Sequence, residues 1–264
     1  MELQQRQADF ERAGIAVFAI SYDAVDVLRT FADKFGITYD LLADEGSHTI
    51  RALGLLNQHI AEQHAAYGVK VRDEHYGVAY PGIFVLDERG AVTEKRFEQS
   101  YRVRLGGALL VEELVGDAKP AVQATAEGEG VQIAAWLGSP TYRPWQKLRL
   151  NLALRIAPGL HVYGTPVPDG FTPLAVDLEP LEGLVSGPVE LPAPRPFRVE
   201  GFDEDFVVHE GTVGATLPLA ILGPNGDVTL GVRVRYQACS ATICYPPSEL
   251  RLELPLRGLE LLRD

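Results

Sequence analysis

The residues best able to do chemistry are Cys239 and Cys244, the chain's full complement of cysteine. They lie in Arg233-Val-Arg-Tyr-Gln-Ala-Cys-Ser-Ala-Thr-Ile-Cys-Tyr-Pro-Pro247 with four residues between them. Upstream, Val232, Val234 and Tyr236 alternate with Arg233 and Arg235; downstream, Leu250, Leu252, Leu254 and Leu256 alternate with Arg251, Glu253 and Pro255. Period-two alternation marks half-buried strands, so the pattern predicts a hairpin with the two thiols facing each other across its mouth. Facing antiparallel residues have Cα atoms about 4.5 to 5.5 Å apart, inside the range a disulfide tolerates. As a staple such a bond is inefficient: a loop of about six residues yields roughly 2 kcal/mol, against nearly 5 for one of about a hundred. A domain of about 135 residues also builds a core without one, which tilts the pair toward reversible dithiol–disulfide chemistry. Structural zinc wants about four ligands and no histidine lies within the hairpin.

Other chemistry-bearing residues have plainer readings. His59 and His64 are five apart, where a helical metal pair prefers four; with His75 they read as surface histidines, and no metal or cofactor is expected. His161 falls in an apparent strand and reads as structural or interfacial, His48 follows a plausible helix cap, and Trp136 and Trp145 read as core or strand aromatics. There is no phosphate loop, no G-x-G-x-x-G and no G-x-S-x-G elbow.

The elements that must position the thiols are legible in the composition. At 264 residues the chain suggests two domains, and 46% apolar with 23% charged residues at zero mean hydropathy is the profile of globular protein. The net charge of −12 divides evenly about Lys119. No basic face exists for a phosphate backbone or an anionic bilayer, so neither nucleic acid nor a membrane surface is an expected partner. No run of apolar residues is long enough to span a bilayer, and Met1-Glu-Leu-Gln-Gln-Arg6 is not an export signal. Residues 1–119 contain only Pro81, while the other 17 prolines follow. The reading is therefore two domains: α/β over 1–115, a small polar linker at 116–126, and an all-β sandwich over 127–264.

Within the first part the pattern predicts a helix over 2–13 ended by Gly14, and a buried strand at Ile15–Ile20. A helix capped by Asp23 follows, with Val27, Leu28, Phe31, Ala32 and Phe35 as its apolar face. A brief strand at Tyr39–Leu42, a short helix capped by Ser47, a hairpin over 83–97 turning at Gly90, and a helix over 103–114 complete it.

This order, with Gly14-Ile-Ala-Val-Phe-Ala-Ile-Ser-Tyr-Asp23, Phe35-Gly-Ile-Thr-Tyr-Asp-Leu-Leu-Ala-Asp44 and Tyr80-Pro-Gly-Ile-Phe-Val-Leu-Asp87, resembles the alkyl hydroperoxide reductase and thiol-specific antioxidant (redoxin) family of thioredoxin-like proteins. The resemblance implies a cis-proline at Tyr80–Pro81 and an attacking cysteine at a helix amino terminus, where the helix dipole lowers thiol pKa. Residues 1–119 contain no cysteine, so the expectation is a thioredoxin-like domain incomplete at its amino end, with any peroxidase cysteine upstream of this chain.

In the second part, Tyr236-Gln-Ala-Cys-Ser-Ala-Thr-Ile-Cys-Tyr-Pro-Pro247 resembles the active-site hairpin of the amino-terminal, immunoglobulin-like domain of the DsbD thiol–disulfide transporters, and Leu160-His-Val-Tyr163 resembles an earlier strand of it. The spacing between the cysteines is one residue shorter than that family's, which leaves the shape of the tip open. The resemblance implies a Cys239/Cys244 couple exchanging electrons with thioredoxin-like partners outside the cytoplasm, with Cys244 attacking first. It also implies a cap near Gly201–Val207, with Phe206 or Phe202 as apolar lid, Asp203, Glu204 and Asp205 as acidic neighbours, and Tyr236 and Tyr245 as support. The alternatives are a peroxiredoxin-type antioxidant or a binding scaffold with an inert disulfide.

Overall fold

The computed structural model describes residues 2–66, 68–98, 100, 103–116, 119–198, 206–223 and 226–260. The chain divides into two compact units, residues 1–117 and 118–264.

The first unit runs α1 (Glu2–Gln5), α2 (Gln7–Arg12), β1 (Phe18–Ser21), α3 (Val25–Phe35), β2 (Asp40–Ala43), α4 (His48–Ala52), α5 (Ile60–Ala66), β3 (Gly82–Leu86), β4 (Val92–Phe97), β5 (Arg104–Leu105) and α6 (Gly107–Val115). The predicted helix over 2–13 is thus two short helices, and Gly14 follows at φ 73°. Phe10 packs with Leu110 and Val111 of α6 in a small core. The strand over 15–20 is displaced: β1 begins at Phe18, while Ile15 and Val17 pack against that core instead.

β1 pairs parallel with β2, in register from Phe18↔Asp40 to Ser21↔Ala43. α3 connects them and ends at Gly36, a left-handed position (φ 62°) whose N–H returns to the Ala32 carbonyl, the arrangement that favours glycine after a helix. Asp23 does not cap α3, because its carboxylate accepts from the Ser21 hydroxyl and Ala24 occupies the cap position. Nor does Ser47 cap α4. Its hydroxyl donates to the Gly77 carbonyl, while the Asp44 carboxylate accepts the N–H groups of Thr49 and Ile50 at 2.9 and 2.8 Å.

The expected apolar face of α3 is only partly covered: Leu28 is buried, whereas Val27 and Phe31 are exposed and Phe31 stacks on Phe35 at 4.7 Å. A two-stranded sheet is too narrow to cover the whole stripe. β3 and β4 form the predicted hairpin, with the Asp87 carboxylate accepting the Arg89 and Ala91 N–H groups, both at 2.9 Å. Among the described residues β1–β2 and β3–β4 are separate two-stranded sheets. α5 is a helix that the sequence pattern does not announce, and α6 starts later than expected because Arg104–Leu105 is extended.

The second unit is all-β and immunoglobulin-like. Its strands are β6 (Val122–Gly128), β7 (Val131–Leu137), β8 (Thr141–Tyr142), β9 (Gln146–Ile156), β10 (His161–Tyr163), β11 (Ala175–Leu178), β12 (Leu184–Ser186), β13 (Arg195–Phe197), β14 (Phe206–His209), β15 (Thr212–Ile221), β16 (Val228–Tyr236), β17 (Ala238–Cys239) and β18 (Ser248–Gly258). One sheet has the order β12-β15-β9-β7-β6, a second β11-β16-β18-β8, and a third β13-β14-β10-β17. β6 corrects the expected linker: residues 122–126 are not a tether but the start of a strand paired with β7 from Val122↔Leu137 to Gly128↔Val131.

Alternation in the sequence becomes alternation in burial. Val232, Val234 and Tyr236 face Leu252, Leu250 and Ser248 across the β16–β18 ladder and point inward. Arg233 and Arg235 point outward, where the Asp177 carboxylate accepts from Arg235 at 3.0 Å and ion-pairs with Arg233 at 3.9 Å. Leu150, Leu152 and Leu154 on β9 complete the core from the opposing sheet. Each such side chain gains about 1.5 to 3 kcal/mol from leaving water, which is what holds the sheets face to face. Among the described residues no helix is long and apolar enough to cross a membrane.

Candidate redox site

The ladder between β16 and β18 stops at Tyr236↔Ser248, and there the chain changes sheets. Ala238 and Cys239 leave the hairpin and pair with β10, Val162↔Ala238 and His161↔Cys239. Gln237 fixes this crossing. It is buried, its side-chain carbonyl accepts the Thr172 N–H at 3.1 Å, and its amide donates to the Tyr245 carbonyl at 3.0 Å. The Tyr245 N–H closes the base by donating to the Ala238 carbonyl at 2.9 Å.

Beyond that base the tip is short. The Ser240 N–H donates to the Ile243 carbonyl at 2.7 Å, and the Ser240 hydroxyl accepts the N–H groups of Thr242 and Ile243 at 3.2 and 3.0 Å. A serine side chain that satisfies its own turn in this way makes the tip self-sufficient in hydrogen bonds. The spacing left the tip's shape open; it is a tight turn with Ala241 and Thr242 at its apex.

Cys239 and Cys244 are joined by a disulfide, with Cα atoms 4.1 Å apart. The two sulfurs live in different media: Cys239 is 0% exposed, whereas Cys244 is exposed at the tip beside Ile243, itself 60% exposed. Cys239 belongs to a small cluster with Tyr163, Phe206 and Val208, flanked by Val167, Phe171 and Phe197. Within it the rings of Tyr163, Phe171 and Phe206 pack mutually, with centroids 5.0 to 5.4 Å apart. Tyr163 brings a polar contact to the sulfurs: its hydroxyl lies 3.3 Å from Cys244 Sγ. Burial pushes the Tyr163 phenol above its ordinary pKa, so it remains protonated and able to donate.

The predicted supporting residues separate into three groups. Phe206 is fully buried in the same apolar cluster as Cys239. Phe202, Asp203, Glu204 and Asp205 lie outside the described residues. Tyr236 is not part of the cap: it is a fully buried residue of the main core whose hydroxyl reaches the Glu129 carbonyl at 3.5 Å, because it is the last inward position before the sheet change. Tyr245 supports the base through its backbone and packs against the main core.

Tyr80–Pro81 is not cis, the cis X-Pro bond among the described residues being Thr165–Pro166. Pro81 immediately precedes β3, where an ordinary trans proline loses no ladder donor; its carbonyl accepts the Glu98 N–H at 3.0 Å.

The histidines divide as well. His59 pairs with Glu62, while His64 and His75 meet ring to ring at 4.6 Å, and no group of three metal-ligating side chains exists among the described residues. Phe171 and Gln237 stand beside the disulfide in positions that reading from the sequence missed. Gln237 could have been singled out as a buried amide beside the first cysteine, whereas Phe171 has no local signal, since only the fold brings it to the sulfurs.

An exposed sulfur is thus bonded to a buried one, on a self-satisfied turn beside an aromatic cluster. Comparison with known families supports thiol–disulfide redox activity in general. Residues 1–95 match the AhpC/TSA family and residues 136–255 match the family described as thiol:disulfide interchange protein DsbD, N-terminal. The chain therefore carries a redoxin domain followed by a DsbD N-terminal domain. A Mycobacterium tuberculosis protein named as a peroxiredoxin is 31% identical over 100 residues, 36% of this chain and 55% of that protein. This chain spans about half the length of the curated relatives it matches. Among solved structures, the N-terminal periplasmic domain of ScsB from Proteus mirabilis is similar at 15% identity and TM-score 0.39, covering 52% of this chain and 51% of that one. The reduced DsbD N-terminal domain of Neisseria meningitidis is similar at 17% identity and TM-score 0.31, covering 52% and 86%.

Proposed function

We propose that this protein is a thiol–disulfide oxidoreductase working through the Cys239/Cys244 couple, with Cys244 as the attacking sulfur and Cys239 as the resolving one. The observation that carries the reading is the difference in access. An incoming dithiol can reach Cys244 at the tip, while Cys239 is sealed behind Phe206 and Tyr163. Exchange runs by in-line attack of a thiolate on a disulfide sulfur, so the reachable sulfur forms the mixed disulfide and the covered one resolves it. The Tyr163 hydroxyl, 3.3 Å from Cys244 Sγ, can donate to the Cys244 thiolate of the reduced protein and so favours the charged, attacking form. Exposed Ile243 beside it offers a partner an apolar contact. The partner this chemistry fits is a thioredoxin-like protein or domain presenting its own dithiol, in an extracytoplasmic compartment where such couples cycle.

The test is a redox titration of the purified chain against glutathione. A midpoint between about −270 and −120 mV is expected of an exchange couple, and one below about −300 mV would mark an inert staple and defeat the proposal. Residues 1–95 match a peroxidase family but hold no cysteine, so they contribute a scaffold and not a nucleophile. Peroxide consumption by this chain is accordingly expected at the level of a no-protein control in a coupled assay; turnover above that level would return the peroxidase reading.

A further inference from the structure

Cys239 poses a problem that its surroundings also answer. To resolve a mixed disulfide it must become a thiolate, yet burial among Tyr163, Phe206 and Val208 penalises that charge. Directly across the ladder, in register with Cys239, stands His161, 3% exposed and on the same face of the sheet. Among the described residues its buried Nε2 has no hydrogen-bond partner in the disulfide form. Orphaned polar atoms in an interior are costly, and reduction creates the group that can relieve this one, a Cys239 S–H on the neighbouring strand. Facing cross-strand side chains have Cβ atoms about 4.5 to 5.5 Å apart, within reach of an imidazole.

We infer that His161 is the proton acceptor for Cys239, taking the thiol proton as that sulfur resolves a mixed disulfide on Cys244. The inference rests on the exchange function proposed above. In the step, the Cys239 S–H bond breaks and its proton passes to the imidazole. The resulting thiolate forms the S–S bond with Cys244 Sγ, and the bond from Cys244 to the partner sulfur breaks. The partner leaves as a thiolate carrying the electron pair and takes a proton from the imidazolium or from water. The protein is oxidised to the disulfide, and the partner disulfide is reduced.

The surroundings suit a base. Burial lowers the imidazole pKa below its ordinary value, so the ring is neutral near pH 7 and free to accept. Two charged groups face it from the strands on its other side: Glu210, just past β14, opposes that lowering, and Arg195 on β13 adds to it, the two being ion-paired with each other. The register Val162↔His209 sets Glu210 beside His161 as Cys239 sits on the other flank, a carboxylate, an imidazole and a thiol in a row across three strands. Among the described residues Tyr163, two residues along, is the remaining titratable neighbour on this face, and it stays protonated. His209 lies on the opposite face.

The experiment follows the reduced full-length chain reacting with oxidised glutathione, acid-quenched over time and across pH, with the glutathionylated and disulfide forms counted by mass. His161→Gln is expected to form the mixed disulfide at the wild-type rate but to resolve it at least about tenfold more slowly, losing the acid limb of the resolution profile. Glu210→Gln, at an exposed position, is expected to move that limb to lower pH with formation unchanged. Resolution at the wild-type rate and with the wild-type profile in His161→Gln overturns the inference. If that variant does not fold, judged by near-ultraviolet circular dichroism, an unmoved acid limb in Glu210→Gln overturns it instead. A wild-type chain that never forms the mixed disulfide defeats the exchange function itself, a separate result.

Discussion

Replacement of Cys244 by serine is expected to abolish exchange with glutathione or with a thioredoxin-like dithiol, leaving only the no-protein background. Serine keeps the size and the turn, so folding is preserved; what disappears is the sulfur that a partner can reach. The reciprocal change is diagnostic. Cys239→Ser retains the accessible sulfur and loses the resolving one, so it is expected to accumulate a stoichiometric mixed disulfide visible by mass. If Cys239→Ser turns over like the wild type, or if Cys244→Ser forms the mixed disulfide instead, the assignment of attacking and resolving sulfurs is reversed.

Phe206→Ala is expected to have the largest effect on stability at the site. The ring is fully buried and packs on both Tyr163 and Phe171. Truncating such a ring costs about 3 to 5 kcal/mol, comparable with much of the roughly 5 to 15 kcal/mol that holds an ordinary domain folded. Denaturant unfolding of the second unit should shift by that amount. The same truncation uncovers Cys239, so reduction of the disulfide by dithiothreitol should accelerate under conditions where the variant is still folded. A loss below about 1 kcal/mol, the scale of a volume-conserving change, with an unchanged reduction rate would show that Phe206 is not the cover.

What could be read from the sequence was whatever depends on local period. The alternation of Val232, Val234 and Tyr236 against Leu250 to Leu256 predicted the β16–β18 ladder, and Gly14 and Gly90 marked a helix end and a hairpin turn. Side-chain hydrogen bonds with several candidate partners were not legible. Asp23 and Ser47 have the right type for caps, yet each finds another partner, and Asp44 caps from a position four residues before the helix. Nor was the sheet change at Gln237 legible. Alternation says that a strand exists, not which sheet it joins, so the pairing of Cys239 with His161 and the arrival of Phe171 over the sulfurs follow only from the fold. The linker was misjudged for a related reason: small residues such as Ala124 and Ala126 read as a tether, although they line the inward face of a strand.

The change of sheets at Gln237 also bears on how oxidation and reduction are felt elsewhere. On one side of the bond the β10 ladder anchors the chain, and on the other the Ser240 turn organises itself, so neither end relies on the covalent link for its position. Cutting the link therefore releases little of the molecule. In the exchange function proposed above, electrons then enter and leave at a tip that is held in place from both sides, and a partner reads the state of the couple there.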